Sequence, residues 1–143
     1  MGEHKLSFDD VAVGDEAPVL THKLTRTDLV KYAGASGDFN PMHHDEPMAK
    51  AAGQPSVFGH GMFSMGLLGT ALTDYVGVGN LTRVSVRFAR QTWPDEVLSS
   101  KIVVTATRQE EGKRLVDLAV TLTNAEGEQT VVGEATAELP DPG

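Results

Sequence analysis

GMFSMGLLGTALTDYVG, residues 61–77, is the most apolar stretch of the chain and decides its fold class. A helix starting at Gly61 or Met62 would carry apolar residues nearly all round its circumference, the mark of a helix buried on every side. It is too short to span a bilayer and carries Asp74, so it reads as a core helix. Something else in the chain must cover it.

The cover follows at once. From Leu81 the period changes to two: in TRVSVRFAR, Val84, Val86 and Phe88 alternate with Arg83, Ser85 and Arg87, as in a half-buried strand. VLSSKIVVTATRQ, KRLVDLAVTLTNA and TVVGEATAELP continue in β-branched residues as three more strands. Glu111-Gly112 and Glu126-Gly127 fall where hairpin turns belong, and Trp93-Pro94-Asp95 marks a bend. Short connections predict that sequential strands pair antiparallel. Upstream, APVLTHKL reads as an N-terminal strand and LTRTDLVKYAGASGD as a helix capped at Thr25 or Thr27 and ended by Gly34 and Gly37. DEPMAKAAG reads as a short helix with Asp45 as N-cap, Pro47 in the first turn and Gly53 beyond its end. The expected class is α+β: an antiparallel sheet whose apolar face wraps the helix from Gly61.

Bulk properties narrow the function. With 143 residues and no repeat or linker, one domain over 1–143 is expected, with a polar tail from about residue 140. A net charge of -8 argues against nucleic-acid binding, which needs a cationic field. Arg83, Arg87 and Arg90 form either a local patch for an anionic ligand or a solvated strand face. The absence of cysteine excludes disulfides and thiolate chemistry. MGEHKLSFDD has no basic-then-apolar pattern, so the expectation is a cytoplasmic protein without a membrane span.

Chemistry concentrates in SGDFNPMHHDEPMAKA, residues 36–51. Asp38 and His43 stand on a glycine- and proline-bounded loop that can hold both toward one point. A carboxylate and an imidazole sharing a water can deprotonate it and return a proton elsewhere. Asn40 would anchor the loop or orient one of the pair. Asp, Asn and Pro are also ordinary turn residues, so spacing alone leaves both readings open. Downstream, Gly59 and Gly61 flank His60 where the buried helix begins. A helix N-terminus offers unpaired N–H groups and partial positive charge. Gly61 would let a carbonyl oxygen approach them as an oxyanion site, or would serve close packing alone.

Other motifs fail in detail. Gly59, Gly61 and Ser64 lack the third glycine of a dinucleotide loop, and Asp38 stands where a nucleophile elbow needs glycine. His43, His44, Asp45 and His60 offer metal-ligand types, but neighbouring histidines tend to point apart and no helical pair at four-residue spacing is present. No metal is expected. His44 and His60 are read as polar loop residues, and His4 and His22 as surface residues.

Residues 32–49 resemble the hydratase-2 signature of the MaoC-like dehydratases, the (R)-specific enoyl thioester hydratases: Y-A-x-x-S/T-G-D-x-N-P-x-H followed by an alanine. Tyr32, Ala33, Ser36, Gly37, Asp38, Asn40, Pro41, His43 and Ala49 stand at those positions. His60 to Met62 is similar to the family's helix start, and Val86 to Leu98 to the strand and turn that follow. The resemblance runs from about Phe8 to Pro140 and favours the catalytic reading of Asp38 and His43.

It implies a hot-dog fold, usually paired as a homodimer or as a heterodimer of unequal hot-dog subunits. The implied reaction is reversible hydration of trans-2-enoyl thioesters of coenzyme A or acyl carrier protein to (3R)-hydroxyacyl thioesters, without metal or redox cofactor. The implied catalytic residues are Asp38, His43, Asn40 and Gly61. Phe63, Ser64, Leu67 and Leu68 stand either along an acyl tunnel or in plain core. Arg87, with Lys50, Arg83 and Arg90, is a candidate for the carrier. The alternatives are a hot-dog acyl thioester hydrolase, for which Asp74 is the only carboxylate on the helix, and a subunit of a heteromeric dehydratase.

Overall fold

The computed structural model describes residues 6–141; His4 lies outside them. Its elements are β1 (Thr21–Lys23), α1 (Arg26–Ser36), α2 (Glu46–Ala51), α3 (Gly61–Val76), β2 (Leu81–Phe88), β3 (Val97–Glu110), β4 (Lys113–Thr123) and β5 (Gln129–Glu138), with 3-10 turns at Phe8–Asp10 and Pro41–His43. The strands form one antiparallel sheet in the order β1-β3-β4-β5-β2. Register shifts at Leu81/Arg83, Val104/Ala106 and Leu122/Thr123 add local twist, which lets so few strands curl. The concave face holds α3, the hot-dog arrangement.

Alternation makes the core. Leu98, Ile102 and Val104 of β3 and Leu118, Val120 and Leu122 of β4 point inward and are almost wholly buried. They meet Leu68, Ala71, Leu72 and Val76 of α3 in one cluster. Each fully buried leucine contributes about 1.5–3 kcal/mol. The turn at Glu111 and Gly112 has φ 51° and 78°, so both central residues are left-handed, as a two-residue hairpin matched to strand twist requires.

Three expectations are corrected. APVLTHKL supplies only Thr21–Lys23 as strand. Pro18 has no N–H to give, and the segment before β1 reaches β3 through single contacts, Ala17 N–H to the Ile102 carbonyl (3.0 Å) and Leu20 N–H to Ser100 Oγ (2.8 Å). Next, β2 pairs with β5 and not with its sequence neighbour β3, so it ends as an edge strand. Residues 89–96 carry the chain across the end of the sheet, tied by Ala89 N–H to Thr130 and Leu24 N–H to Glu96. Finally, α3 is not buried all round: Met62, Gly66, Thr70 and Asp74, four residues apart, form an exposed stripe. Counting glycines as apolar overstated how much of the helix has surface to bury.

Helix α1 has its cap at Thr25, whose hydroxyl accepts from Asp28 N–H while Asp28 accepts from Thr25 N–H. Gly34 continues the helix, and Gly37 ends it at φ 77°. Helix α2 begins, as expected, at Asp45. Among the described residues no helix is long and apolar enough to cross a membrane.

At Gly133, β5 lies close against the backbone of β2: a Cβ there would lie 2.1 Å from the Ser85 carbonyl oxygen and 2.8 Å from Val86 Cα. Backbone cannot yield as a flexible side chain would. Gly133→Ala is therefore expected to lower stability by about 1–3 kcal/mol in denaturant unfolding. An unchanged midpoint would contradict the seating of β2 on β5.

Candidate active site

The loop from Gly37 to Asp45 is held by its own side chains. Asp38 Oδ1 accepts from Asn40 N–H (3.3 Å), and Asn40 Oδ1 accepts from Met42 N–H (3.1 Å), capping the 3-10 turn that carries His43. Phe58 N–H donates to the Met42 carbonyl and docks this turn on the strand-like approach to α3. Asn40 thus has the anchoring role; its amide does not contact His43 through any hydrogen bond among the described residues.

His43 is buried, and its Nδ1 lies 2.7 Å from the Phe58 carbonyl oxygen. A carbonyl can only accept, so Nδ1 carries the proton and, in the neutral ring, Nε2 is bare. Nε2 faces Asp38 Oδ2 at 3.8 Å, too far for a direct hydrogen bond. Two acceptors at that separation suit a water that donates one O–H to each. The Asp38 side chain is half exposed, so solvent reaches the pair from its side.

A cavity of about 300 Å³ opens beside His43; Asp38 is not among the residues that line it. His43, Gly61 and Ser64 line one wall, and Phe58, Phe88 and Val131 supply apolar surface. Gly61 is the first residue of α3, and the N-cap residue His60 makes no side-chain bond to the helix's leading N–H groups. A Cβ on Gly61 would sit 3.3 Å from the Phe88 ring, so glycine keeps that helix end open. Gly59 is needed for a different reason: its Cβ would fall 2.3 Å from Thr92 Oγ1.

The cavity takes in Ser64 but not the other expected acyl contacts. Phe63 turns toward Tyr32 and His22, with ring centroids 5.6 and 5.7 Å away. Leu68 is wholly buried core, and Leu67 packs partly buried against the same core. Arg87 alternates with Phe88 along β2 and is exposed. Arg83 pairs with Glu134 (3.3 Å) beside the Arg108–Asp117 ion pair, in a separate hollow. Lys50 is exposed in the last turn of α2. Arg90 lines the cavity and pairs with Glu128 at 2.9 Å.

His60 is the residue the sequence reading missed. It is not a polar loop residue but 2% exposed, stacked on His43 with centroids 3.8 Å apart and planes at 25°. Its Nε2 lies 3.2 Å from the Asp38 carbonyl oxygen, and Nδ1 is buried without a partner among the described residues. Burial holds the His60 pKa below the usual imidazole value, against the Asp38 carbonyl bond that raises it; a charge on His43 lowers it further. A histidine where helices prefer Ser, Thr, Asp or Asn was the available signal. His22, read as a surface residue, is half-buried and bonds Asp28 at 2.9 Å, whose carboxyl is lowered below its ordinary value by that bond and the helix cap, against the opposing effect of burial.

Asp38, His43 and His60 bring ligand atoms within 4.8 Å of one another. The arrangement nevertheless suits a metal poorly. Ring lone pairs lie in the ring plane, and an ion shared by two stacked, nearly parallel imidazoles would sit out of the plane of each.

Residues 11–126 match the family described as MaoC like domain. The chain belongs to the MaoC-like family. Among its MaoC-like relatives is an (R)-specific enoyl-CoA hydratase from Rhodospirillum rubrum, 30% identical over 93% of this chain and 91% of that protein. A 3-hydroxyacyl-thioester dehydratase Y from Mycobacterium tuberculosis is 38% identical over 54% of this chain, which spans only 28% of that longer protein. In three dimensions the chain is similar to the unliganded R-hydratase PhaJ1 from Pseudomonas aeruginosa, with a TM-score of 0.83 and 28% identity over 96% of this chain and 87% of that one.

The loop geometry makes Asn40 testable apart from any activity. Asn40→Ala removes the acceptor for Met42 N–H and is expected to cost about 1 kcal/mol, read as a lower denaturation midpoint. Full stability in that variant would show that the cap does not hold the turn.

Proposed function

We propose that this chain is a hydro-lyase that adds water reversibly across trans-2-enoyl thioesters, giving (3R)-hydroxyacyl thioesters. The observation that carries the proposal is the bare Nε2 of His43 facing Asp38 Oδ2 across 3.8 Å, beside the open N-terminus of α3. The R-specific hydratase relatives support the stereochemical assignment.

In this reaction a water donates to both groups and presents its oxygen lone pair to C3. As the C–O bond forms, one of the pair takes the water proton, and the C2=C3 electrons move toward the thioester carbonyl. Charge on that oxygen is met by the Gly61 N–H and the positive end of the sixteen-residue helix α3. One such donor supplies ~3 kcal/mol in the transition state. The pair then returns the proton to C2 as the enolate collapses, and ends in the state in which it began. Either group can take the first proton, because the two act on one shared solvent molecule. No metal or redox cofactor enters, since proton transfer and oxyanion stabilisation account for every bond made and broken.

Phe58, Phe88 and Val131 would face the acyl chain, and Arg90, which lines the same cavity, would meet phosphate on coenzyme A or on an acyl carrier protein. Two such chains would pair, either as identical copies or with a second hot-dog subunit. The edge strand β2, the half-exposed Met62 and the half-exposed Phe88 that lines the cavity support pairing. Hydrolysis of the thioester is disfavoured by position. Asp74 lies thirteen residues along α3 from Gly61, about 20 Å of helix rise. It lines a different hollow with Pro18 and Tyr75.

Incubation with crotonyl-CoA should deplete the enoyl absorbance without releasing thiol. Asp38→Asn and His43→Ala should each lower kcat by about 10²–10⁴ while circular dichroism stays that of the parent. Thiol release in place of hydration, or either variant retaining full turnover, would refute the assignment.

A further inference from the structure

We propose that His60 is a positioning residue: an imidazole with its proton on Nε2 that fixes the main chain of Asp38 and backs the ring of His43. The inference deepens the hydratase reading and rests on it for its kinetic consequence, but its structural half stands alone.

The geometry leaves little freedom. The Asp38 carbonyl 3.2 Å from Nε2 can only accept, so Nε2 carries the proton. Nδ1 is then a bare acceptor with no donor among the described residues, in a side chain 2% exposed. An unsatisfied buried acceptor is costly, and its retention beside a reactive pair calls for a reason. Three are visible. The Nε2–H bond ties Asp38 from behind, where its other loop bonds are only its own N–H to Ser36 Oγ and the Asn40 N–H to its carboxylate. The ring face, stacked at 3.8 Å, fixes the tilt of His43 that the Phe58 carbonyl bond alone would leave free to rock. Tyr32 closes the other side at 4.8 Å, so the His60 ring is itself clamped.

Neutrality matters because a second positive charge in the stack would oppose proton uptake by His43. The titratable groups facing His60 are Asp38 and His44 on the loop, His43 on the 3-10 turn and Tyr32 on α1. Desolvation and the His43 and His44 charges disfavour a cation at His60, while the Asp38 carbonyl and carboxylate favour it; the balance is a lowered pKa. An electrostatically silent ring can therefore support a base without competing with it for the proton.

Nitrogen-15 spectra of the full chain with labelled histidine test the structural half directly. His60 should show the Nε2–H tautomer, opposite to that of His43, and should take up a proton only below the ordinary imidazole range. Protonation of His60 within or above the ordinary imidazole range, or an Nδ1–H tautomer, would overturn the proposal. Turnover of crotonyl-CoA tests the kinetic half. His60→Ala should lower kcat about tenfold or more with KM nearly unchanged, because sub-ångström misplacement of a reacting pair is that costly. His60→Gln, which restores an N–H toward the Asp38 carbonyl, should recover part of the loss. Parental kcat in a folded His60→Ala protein would also overturn the proposal. Should that variant not fold, the spectra of the parent decide. A parent inactive on every enoyl thioester would refute the hydratase reading and leave the tautomer result to stand by itself.

Discussion

His43 gives its Nδ1 proton to the Phe58 carbonyl across 2.7 Å, and the site takes its form from that bond. It makes Nε2 the free nitrogen, aims it at Asp38, and ties the loop after α1 to the segment that leads into α3. Without it the imidazole would be free to present either nitrogen, and the 3.8 Å gap to the carboxylate would have no fixed chemical sense. The partner is a main-chain oxygen next to Gly59, whose N–H is held by the Thr92 carbonyl at 2.7 Å. The His43 geometry is therefore fastened to the crossing that joins β2 to β3.

The same crossing shows why fold and site cannot be separated. Residues 89–96 close one end of the sheet over the start of α3, bringing Arg90 and Thr92 to the cavity wall. Helix α3 contributes in two ways. Its middle buries Leu68 and Leu72 against the sheet, which fixes where the helix lies. Its first turn is left open, because Gly61 carries no side chain beneath Phe88 and His60 does not cap it. A Ser or Asp at the N-cap would satisfy those amides and stabilise the helix. Their openness lowers local stability, a local inconsistency of the kind found at functional positions.

Stacking His60 on His43 adds a further constraint. Two imidazoles in contact cannot both be charged cheaply in a buried setting. Burial and a main-chain acceptor give the two rings opposite tautomers, so one offers a lone pair to the site and the other a fixed N–H to Asp38. The cluster of one carboxylate and two histidines looks like a metal site by composition, and only ring orientation argues otherwise.

Local rules made much of this legible from sequence. The β strands announced themselves through alternation, α1 through a threonine cap at Thr25 or Thr27, the hairpin through Glu111-Gly112, and the loop after α1 through Asp38, Asn40 and His43 within one family-like signature. Each depends on residues near in sequence, where spacing maps directly onto geometry. Tertiary structure alone decided that β2 pairs with β5, that Phe63 and Leu68 face away from the cavity, and that His60, twenty-two residues from Asp38, lies behind it. Those outcomes depend on which surfaces meet when the sheet curls round the helix. A period of two or 3.6 states that a residue has an inner face, but not which distant neighbour will fill it.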